Sequence, residues 1–568
     1  MKHISRREFV RLSALGIGAA VVSTGLAGCG SSHGKVAVSF SNGVASGDPL
    51  QDRVIIWTRA ILEDLASVEV SWEVATDREF ANLVHTGVTQ TDASRDHTVK
   101  VDVQNLVAET VYYYRFRAND NTSTVGRMKT LANGPLASAK LAVVSCSNYP
   151  AGFFHVYREV AKRDDLDAVL HLGDYLYEYE MGGYATEDAV ALGRTLAADN
   201  AGELLTLTDY RRRYALYRSD PDLQTLHAKL PLIAVWDDHE VTNDTWRDGA
   251  ENHTEATEGP FSERRMAALQ AYFEWLPIRP AVAGDNETIY RHFRFGDLAD
   301  LYMLDTRVIA RDEQLAMASY LDPATGTFDA ARFAADIADQ NRNLLGAEQM
   351  LWLQQMMTVS QGKWQVLGQQ VLMGRMLIPA EMLQNPASVA ELVAIQQRID
   401  GGDDSVTEQE RSRVETKIPY NLDAWDGYAY EREVILGLAK ALDKNLIVLA
   451  GDTHNAWANN LKTLAGDQVG VEFATASVSS PGLESYLGLD SLQAVLQSEY
   501  SFGLLIEDLA YCNLNQRGYM VLEMTQDEAR ADWHFVNTIK APTYIEDSGR
   551  HKALKVRSGH EYRYIEAI

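Results

Sequence analysis

Apolar and polar positions along the chain change their period near residue 133. Between 36 and 133 the pattern consists of short β-rich runs, at 53–58, 68–74, 99–103 and 111–117, several of them alternating. Turn residues separate them at strand-like intervals, which predicts an all-β sandwich of about 100 residues. No cluster of chemically active residue types occurs there, and Gly43, Gly47, Asp48 and Pro49 read as turn residues without a further role. Asn133-Gly134-Pro135 breaks the pattern and marks a boundary.

From 134 to 568 apolar strands alternate with longer amphipathic stretches. The strands are expected at 141–145, 168–172, 232–236, 301–304, 365–367, 446–450 and 471–474. Several are continuous apolar runs, as strands buried on both faces of a layered α/β domain are. Residues 153–163 place Phe153, Val156, Tyr157 and Val160 at helical spacing. Residues 262–275 place Met266, Leu269 and Phe273 on one stripe continuing to Leu276, with Ser262 as the expected N-cap. Residues 375–430 are long, mixed and charged, and read as an insertion near the site.

The N-terminal pattern is an address rather than fold. Ser5-Arg6-Arg7-Glu8-Phe9-Val10 carries a twin arginine, a mildly apolar run follows, and Leu26-Ala27-Gly28-Cys29 closes it. This reads as a bacterial twin-arginine export signal over 1–28, with Cys29 in a lipobox and 29–35 as a tether. The expected location is exported, periplasmic or cell-surface, with the membrane reached only through a lipid on Cys29. The apolar run falls below the ~20 residues of a membrane span.

Charge and cysteine content narrow the function further. The net charge is −27, and residues 1–28 contribute +3, so the remainder carries about −30. A broad basic face for nucleic acid is excluded. An anionic substrate requires local cations to overcome that background. Three cysteines exclude a disulfide scaffold. Cys146 either pairs with Cys512 or serves as a metal thiolate.

Four expected strands stop and are followed at once by metal-type or acid–base residues. The segments are Ser145-Cys146-Ser147-Asn148, Gly173-Asp174-Tyr175-Leu176-Tyr177-Glu178, Asp237-Asp238-His239-Glu240-Val241-Thr242-Asn243 and Gly451-Asp452-Thr453-His454. In open α/β sheets ligands sit beyond the carboxyl ends of strands, so these segments are expected to converge. Singly, a Gly-Asp is most often a turn and a buried cysteine most often packing. No Gly-x-Ser-x-Gly elbow points to a serine hydrolase.

Taken in order, the four segments resemble the calcineurin-like metallophosphoesterase signature. The Ser-Cys start, Tyr177 three places after Asp174, the Trp-Asp-Asp-His-Glu third motif and the Gly-Asp-x-His end resemble the PhoD-like branch. The segment starting Phe40-Ser41-Asn42-Gly43-Val44-Ala45-Ser46-Gly47-Asp48-Pro49 resembles that family's N-terminal domain. The resemblance implies a domain of two central sheets flanked by helices, and hydrolysis of phosphate monoesters or diesters. It also implies an iron and calcium pair. Cys146, Asp174, Tyr177 and His454 would hold Fe3+, since thiolate plus phenolate suits a trivalent ion. Asp174 would bridge to Ca2+ held by Asp238, Asn243 and Asp452, all oxygen ligands. His239 remains free as the proton donor to the leaving alkoxide. Arg158, Arg211 and Arg307 are open candidates for gripping phosphate. A phosphodiesterase or phospholipase-like activity on the same fold is the alternative enzyme reading. A lipid-anchored surface protein without activity is the remote one.

Overall fold

The computed structural model describes residues 38–61, 67–325 and 327–568. The leader, Cys29 and the tether lie outside the described residues. No helix among the described residues is long and apolar enough to cross a membrane.

Two large sheets organise the α/β part. The first has ten strands, and its centre is the parallel set Ser138–Val144, Ala168–His171 and Leu232–Ala234. The second has seven strands around the parallel set Ala299–Met303, Trp364–Gly368, Asn445–Ala450 and Gln468–Ala474. All seven expected strands appear, and their central residues are buried, as the continuous apolar runs require.

One apolar core holds side chains of both sheets, Leu141, Val169 and Ile233 together with Leu301, Val366, Ile447 and Val471. Two of its tryptophans satisfy their N–H groups across that core. Trp533 donates to the Ala474 carbonyl at 2.9 Å, and Trp364 to the Thr525 carbonyl at 2.7 Å. A parallel bridge between Ser145 and Ser477 joins the sheets beside Cys146, so the ends of strands from both sheets meet at one place.

The described residues of 38–133 are mainly β, with one short 3-10 turn at Ala93–Arg95, and one layer of that β structure is shared with the main sheet. Val44–Gly47 runs parallel to Leu232–Ala234, with Gly47 opposite Leu232, and Arg53–Arg59 and Thr98–Gln104 extend the sheet outward. Ser67–Ala75, Leu83–Asp92, Val111–Ala118, Asn121–Thr122 and Gly126–Lys129 form the other layer. Val54, Ile56, Val70, Tyr114 and Phe116 fill the space between.

The turn reading of Gly47 and Asp48 is corrected here. A side chain at Gly47 would place its Cβ 2.4 Å from the Pro277 carbonyl, so the close strand packing requires glycine. Asp48 is fully buried and accepts two hydrogen bonds from Arg291 at 2.8 and 3.0 Å. It also accepts from the Arg279 backbone N–H at 2.7 Å. These bonds tie the N-terminal β structure to the α/β part.

The helices differ in detail from expectation. The first spans His155–Lys162, and the Phe153 N–H just before it donates to the Ile539 carbonyl at 2.8 Å. The second spans Phe261–Trp275 with Pro260 at the N-cap, so Ser262 lies inside it and caps nothing. Its Phe261 N–H is satisfied by Glu255 at 3.3 Å instead. Met266 is exposed, because the buried face carries Arg264, paired to Glu203. Within 375–430, Leu377–Pro379 pairs antiparallel with Lys417–Pro419, and Ala380–Gln384, Val389–Asp400 and Glu408–Glu415 are helices between them.

Candidate metal centre

Each site residue sits where a parallel strand ends and the backbone turns sharply. Cys146, Asp174, Asp452 and His454 all have left-handed backbone, with φ of 60°, 55°, 61° and 64°. For residues other than glycine such conformations cost about 1–3 kcal/mol each and gather at functional sites. The turns are held by polar contacts. The buried Glu240 carboxylate accepts from the N–H groups of Asp174 at 3.0 Å, Tyr175 at 2.5 Å and Asp237 at 2.7 Å. Gly173 allows the approach, because an added Cβ would lie 2.4 Å from the Asp237 Cβ. Glu240 is part of the third motif in the sequence but carries no role there, because its function is to hold backbone.

The ligand atoms of Cys146, Asp174 and His454 all lie within 4.8 Å of one another. The Tyr177 hydroxyl sits 3.0 Å from Asp174 Oδ2 and 3.0 Å from His454 Nε2. His454 Nδ1 lies 2.6 Å from the Pro481 carbonyl, which fixes the ring with Nε2 toward the cluster. Asp174 Oδ1 is buried with no hydrogen-bond partner, an orphan that a cation would satisfy. Burial, with the Asp174 charge next, pushes the Cys146 thiol and the Tyr177 phenol well above their ordinary ranges. Burial lowers His454 to about 4, leaving it neutral as a ligand must be. Cys146 and Cys512 are both free thiols, which removes the disulfide alternative.

Two further clusters share these residues: Asp174 with Asp238 and His239, and Asp237 with Asp238 and Asp452. Asp174, Asp238, His239, Asn243, Asp452 and His454 all line a single cleft of about 210 Å³, with Tyr179, Tyr184, Tyr420 and Tyr486 among its walls. Cys146 and Tyr177 are fully buried behind them. Asn243 donates from its amide to Glu251 at 3.1 Å. Burial pushes Asp174 up to about 7, and burial with Asp237 and Asp423 raises Asp452 well above its ordinary value. These carboxylates repel one another, and Arg307 from behind the cleft and His239 within it offset only part of that charge.

His239 differs from its neighbours. Its Nδ1 lies 2.8 Å from Glu178 Oε2. Glu178 is itself fixed by Thr242 at 3.1 Å, the Asn243 N–H at 2.8 Å and Asn252 at 3.1 Å. Burial disfavours the imidazolium, but Asp238, Glu178 and Asp174 outweigh it and raise His239 well above its usual pKa. Glu178 was quoted in its motif without a role, and only the fold brings it to His239.

The cationic candidates are corrected. Arg158 is taken by Asp222 at 2.7 Å and Arg211 by Glu274 at 2.7 Å, and neither lines the cleft. Arg307 is fully buried and is shared among Asp237 at 2.6 Å, Asp423 at 2.8 Å and Asp452 at 2.9 Å. Among the described residues that line the cleft there is no lysine or arginine, whereas four aspartates, Asp174, Asp238, Asp244 and Asp452, do so.

Two packed sheets whose strand ends deliver thiol, phenol, imidazole and carboxylates to one cleft define a metal-dependent phosphoesterase of layered α/β architecture. Residues 141–533 match the PhoD-like phosphatase family and 27–132 its N-terminal domain. The chain belongs to this family and is a phosphoester hydrolase. Alkaline phosphatase D of Bacillus subtilis (strain 168) is 33% identical over 521 residues, covering 89% of this chain and 78% of that protein. A solved structure titled Structure of PhoD matches with a TM-score of 0.73 at 29% identity, covering 93% of this chain and 92% of that one.

Proposed function

We propose that this chain is an exported alkaline phosphatase D-like enzyme that hydrolyses phosphate monoesters or diesters with a paired iron and calcium centre. The observation that carries the reading is an acidic cleft, free of lysine and arginine among its described lining residues, beside the Cys146, Asp174 and His454 cluster. A phosphate ester is repelled by such a cleft unless cations stand in it. Cys146, Asp174, Tyr177 and His454 would hold Fe3+. Asp174, Asp238, Asn243 and Asp452 would hold Ca2+. Thiolate and phenolate suit a trivalent ion, and oxygen ligands with an amide suit calcium. When bound, the pair would supply positive charge to the phosphoryl oxygens and make water more acidic.

The protein's own contribution is orientation and a proton. Glu178 fixes His239 at Nδ1 and favours its imidazolium, which leaves Nε2 as the donor to the departing alkoxide. The tyrosine walls restrict water around the ester.

The experiment that tests this reading is iron content with the visible spectrum of the purified protein, beside hydrolysis of one monoester and one diester chromogen. Ferric phenolate or thiolate should give a visible charge-transfer band. Tyr177→Phe should shift or remove the band, and Cys146→Ser should weaken iron retention. An iron-free, colourless and fully active protein would overturn the iron assignment while leaving two-cation hydrolysis standing.

Calcium is expected to exchange. A calcium chelator should abolish turnover, and added calcium should restore it; full activity in chelator counts against the site at Asp238, Asn243 and Asp452.

The twin arginine and lipobox support export with a lipid on Cys29. Cys29→Ala should move the protein from the membrane fraction to the soluble exported fraction. Unchanged membrane association would rule out a lipid anchor on Cys29.

A further inference from the structure

An apolar chamber of about 510 Å³ adjoins the catalytic cleft. The two share walls: Tyr420 and Leu483 line both. The chamber lies between the 377–390 excursion and the helix Leu492–Leu505, and Met382, Val389, Leu487 and Phe502 give it its character. Of the described residues that line it, only Tyr420, Gln497, Ser498 and Ser501 carry polar side-chain atoms, and none is charged. Leu383 and Leu487 on its wall are exposed at 47% and 49%, and nearby Tyr486, Leu492, Leu496 and Tyr500 are exposed as well. A run of exposed apolar side chains on so acidic a protein marks a binding surface. The volume falls within the roughly 300–1,000 Å³ of ligand pockets.

The larger neighbouring cavity, about 990 Å³, has a different character. Its cations are already taken, Arg517 by Glu484, Lys540 by Asp188 and Arg550 by Glu499. It therefore offers a second anionic group no free partner, whereas the apolar chamber offers an aliphatic chain an apolar wall continuous with the cleft.

We infer that the chamber receives an aliphatic chain esterified to the phosphate, so that the enzyme selects amphiphilic phosphate esters. The inference rests on the phosphoesterase reading and adds the chemical class of its substrate. The phosphate occupies the acidic cleft, and the chain passes Tyr420 and Leu483 into the chamber. Water gives up a proton to solvent as its oxygen bonds to phosphorus, one P–O ester bond breaks, and the departing alkoxide takes its proton from His239, which regains one from solvent.

The test separates binding from turnover. Alkylphosphonates from methyl to octyl keep the headgroup on a C–P bond that resists hydrolysis. Their affinity for the metal-loaded enzyme, measured by calorimetry, should rise up to about fourfold per methylene until the chamber is full. Ala494→Trp and Ala390→Trp, each on the chamber wall, should flatten that series while leaving methylphosphonate affinity unchanged. Two positions are used so that one poorly folding variant leaves the other to decide. Affinity independent of chain length would overturn the inference and leave this face to a membrane surface or a second copy of the chain. A slope that survives both tryptophans would also overturn it, because the chain would then lie elsewhere. If the series binds as expected but neither methyl nor octyl phosphate is hydrolysed, the phosphoesterase reading falls and the chamber assignment stands.

Discussion

The His239→Ala enzyme is expected to lose about 100- to 10,000-fold in kcat while retaining its metals. The expectation follows from where the ring is held. Nδ1 is committed to Glu178 at 2.8 Å, and Glu178 is fully buried and further tied to Thr242, Asn243 and Asn252. Such a partner fixes the ring and stabilises its proton. Glu178 favours the imidazolium, and the ring loses its capacity to donate as pH rises through its pKa. Glu178→Gln should therefore lower kcat less than His239→Ala does and move the alkaline limb of the pH–rate profile to lower pH. Substrates with a good leaving group, such as nitrophenolate, should suffer least, because they need little protonation. The measurements are kcat, metal content and the pH profile for both variants. Near wild-type turnover in His239→Ala would remove the residue from the reaction, and loss of metal with the ring would make it a ligand instead.

Arg307→Met is expected to destabilise the protein by about 3–5 kcal/mol, the cost of breaking a buried ion pair from one side. The guanidinium is fully buried and serves Asp237, Asp423 and Asp452 from three of its nitrogens. These aspartates belong to three separate segments, and Asp237 Oδ2 already has no partner. Removing the arginine leaves the fully buried Asp237 and the half-buried Asp423 and Asp452 uncompensated, and methionine supplies volume but no charge. Lysine should restore only part of the loss, because one ammonium cannot reach three carboxylates in a fork. Arg311, which also meets Asp423, leaves Asp237 and Asp452 unserved. Equilibrium urea unfolding reads the difference. A loss below about 1 kcal/mol would show that the cluster is neutralised by other means.

What the sequence determined by itself was the location of elements whose signal is local. Apolar runs, several of them continuous, announced the seven buried strands, and the residues just past four of them announced a convergent site. Cys146, Asp174, Tyr177 and His454 were legible because each follows a strand end or sits one turn beyond it. The alternating runs at 53–58, 68–74, 99–103 and 111–117 were legible for the same reason. The strands Leu83–Asp92, Arg517–Thr525, Glu528–Val536 and Lys552–Arg557 were not, because their polar residues break the apolar run. Hydrogen bonds to neighbouring strands rather than composition make them strands.

Only the tertiary structure decided which charges meet. Glu178 orients His239 across 61 residues, Glu240 clamps the turn at Asp174 across 66, and Arg307 reaches Asp452 across 145. An ion pair depends on distance in space and on the loss of water around it, and neither is encoded in local spacing. The same reason explains Asp48, which reads as a turn aspartate but lies fully buried against Arg291. It also explains Ser262, a good cap by type that lies two residues past Pro260, the actual N-cap, and so is too deep to act as one. The apolar chamber follows the same rule, because its walls come from 378–390, Tyr420 and 483–502, and only folding brings Tyr420 and Leu483 to the edge of the acidic cleft.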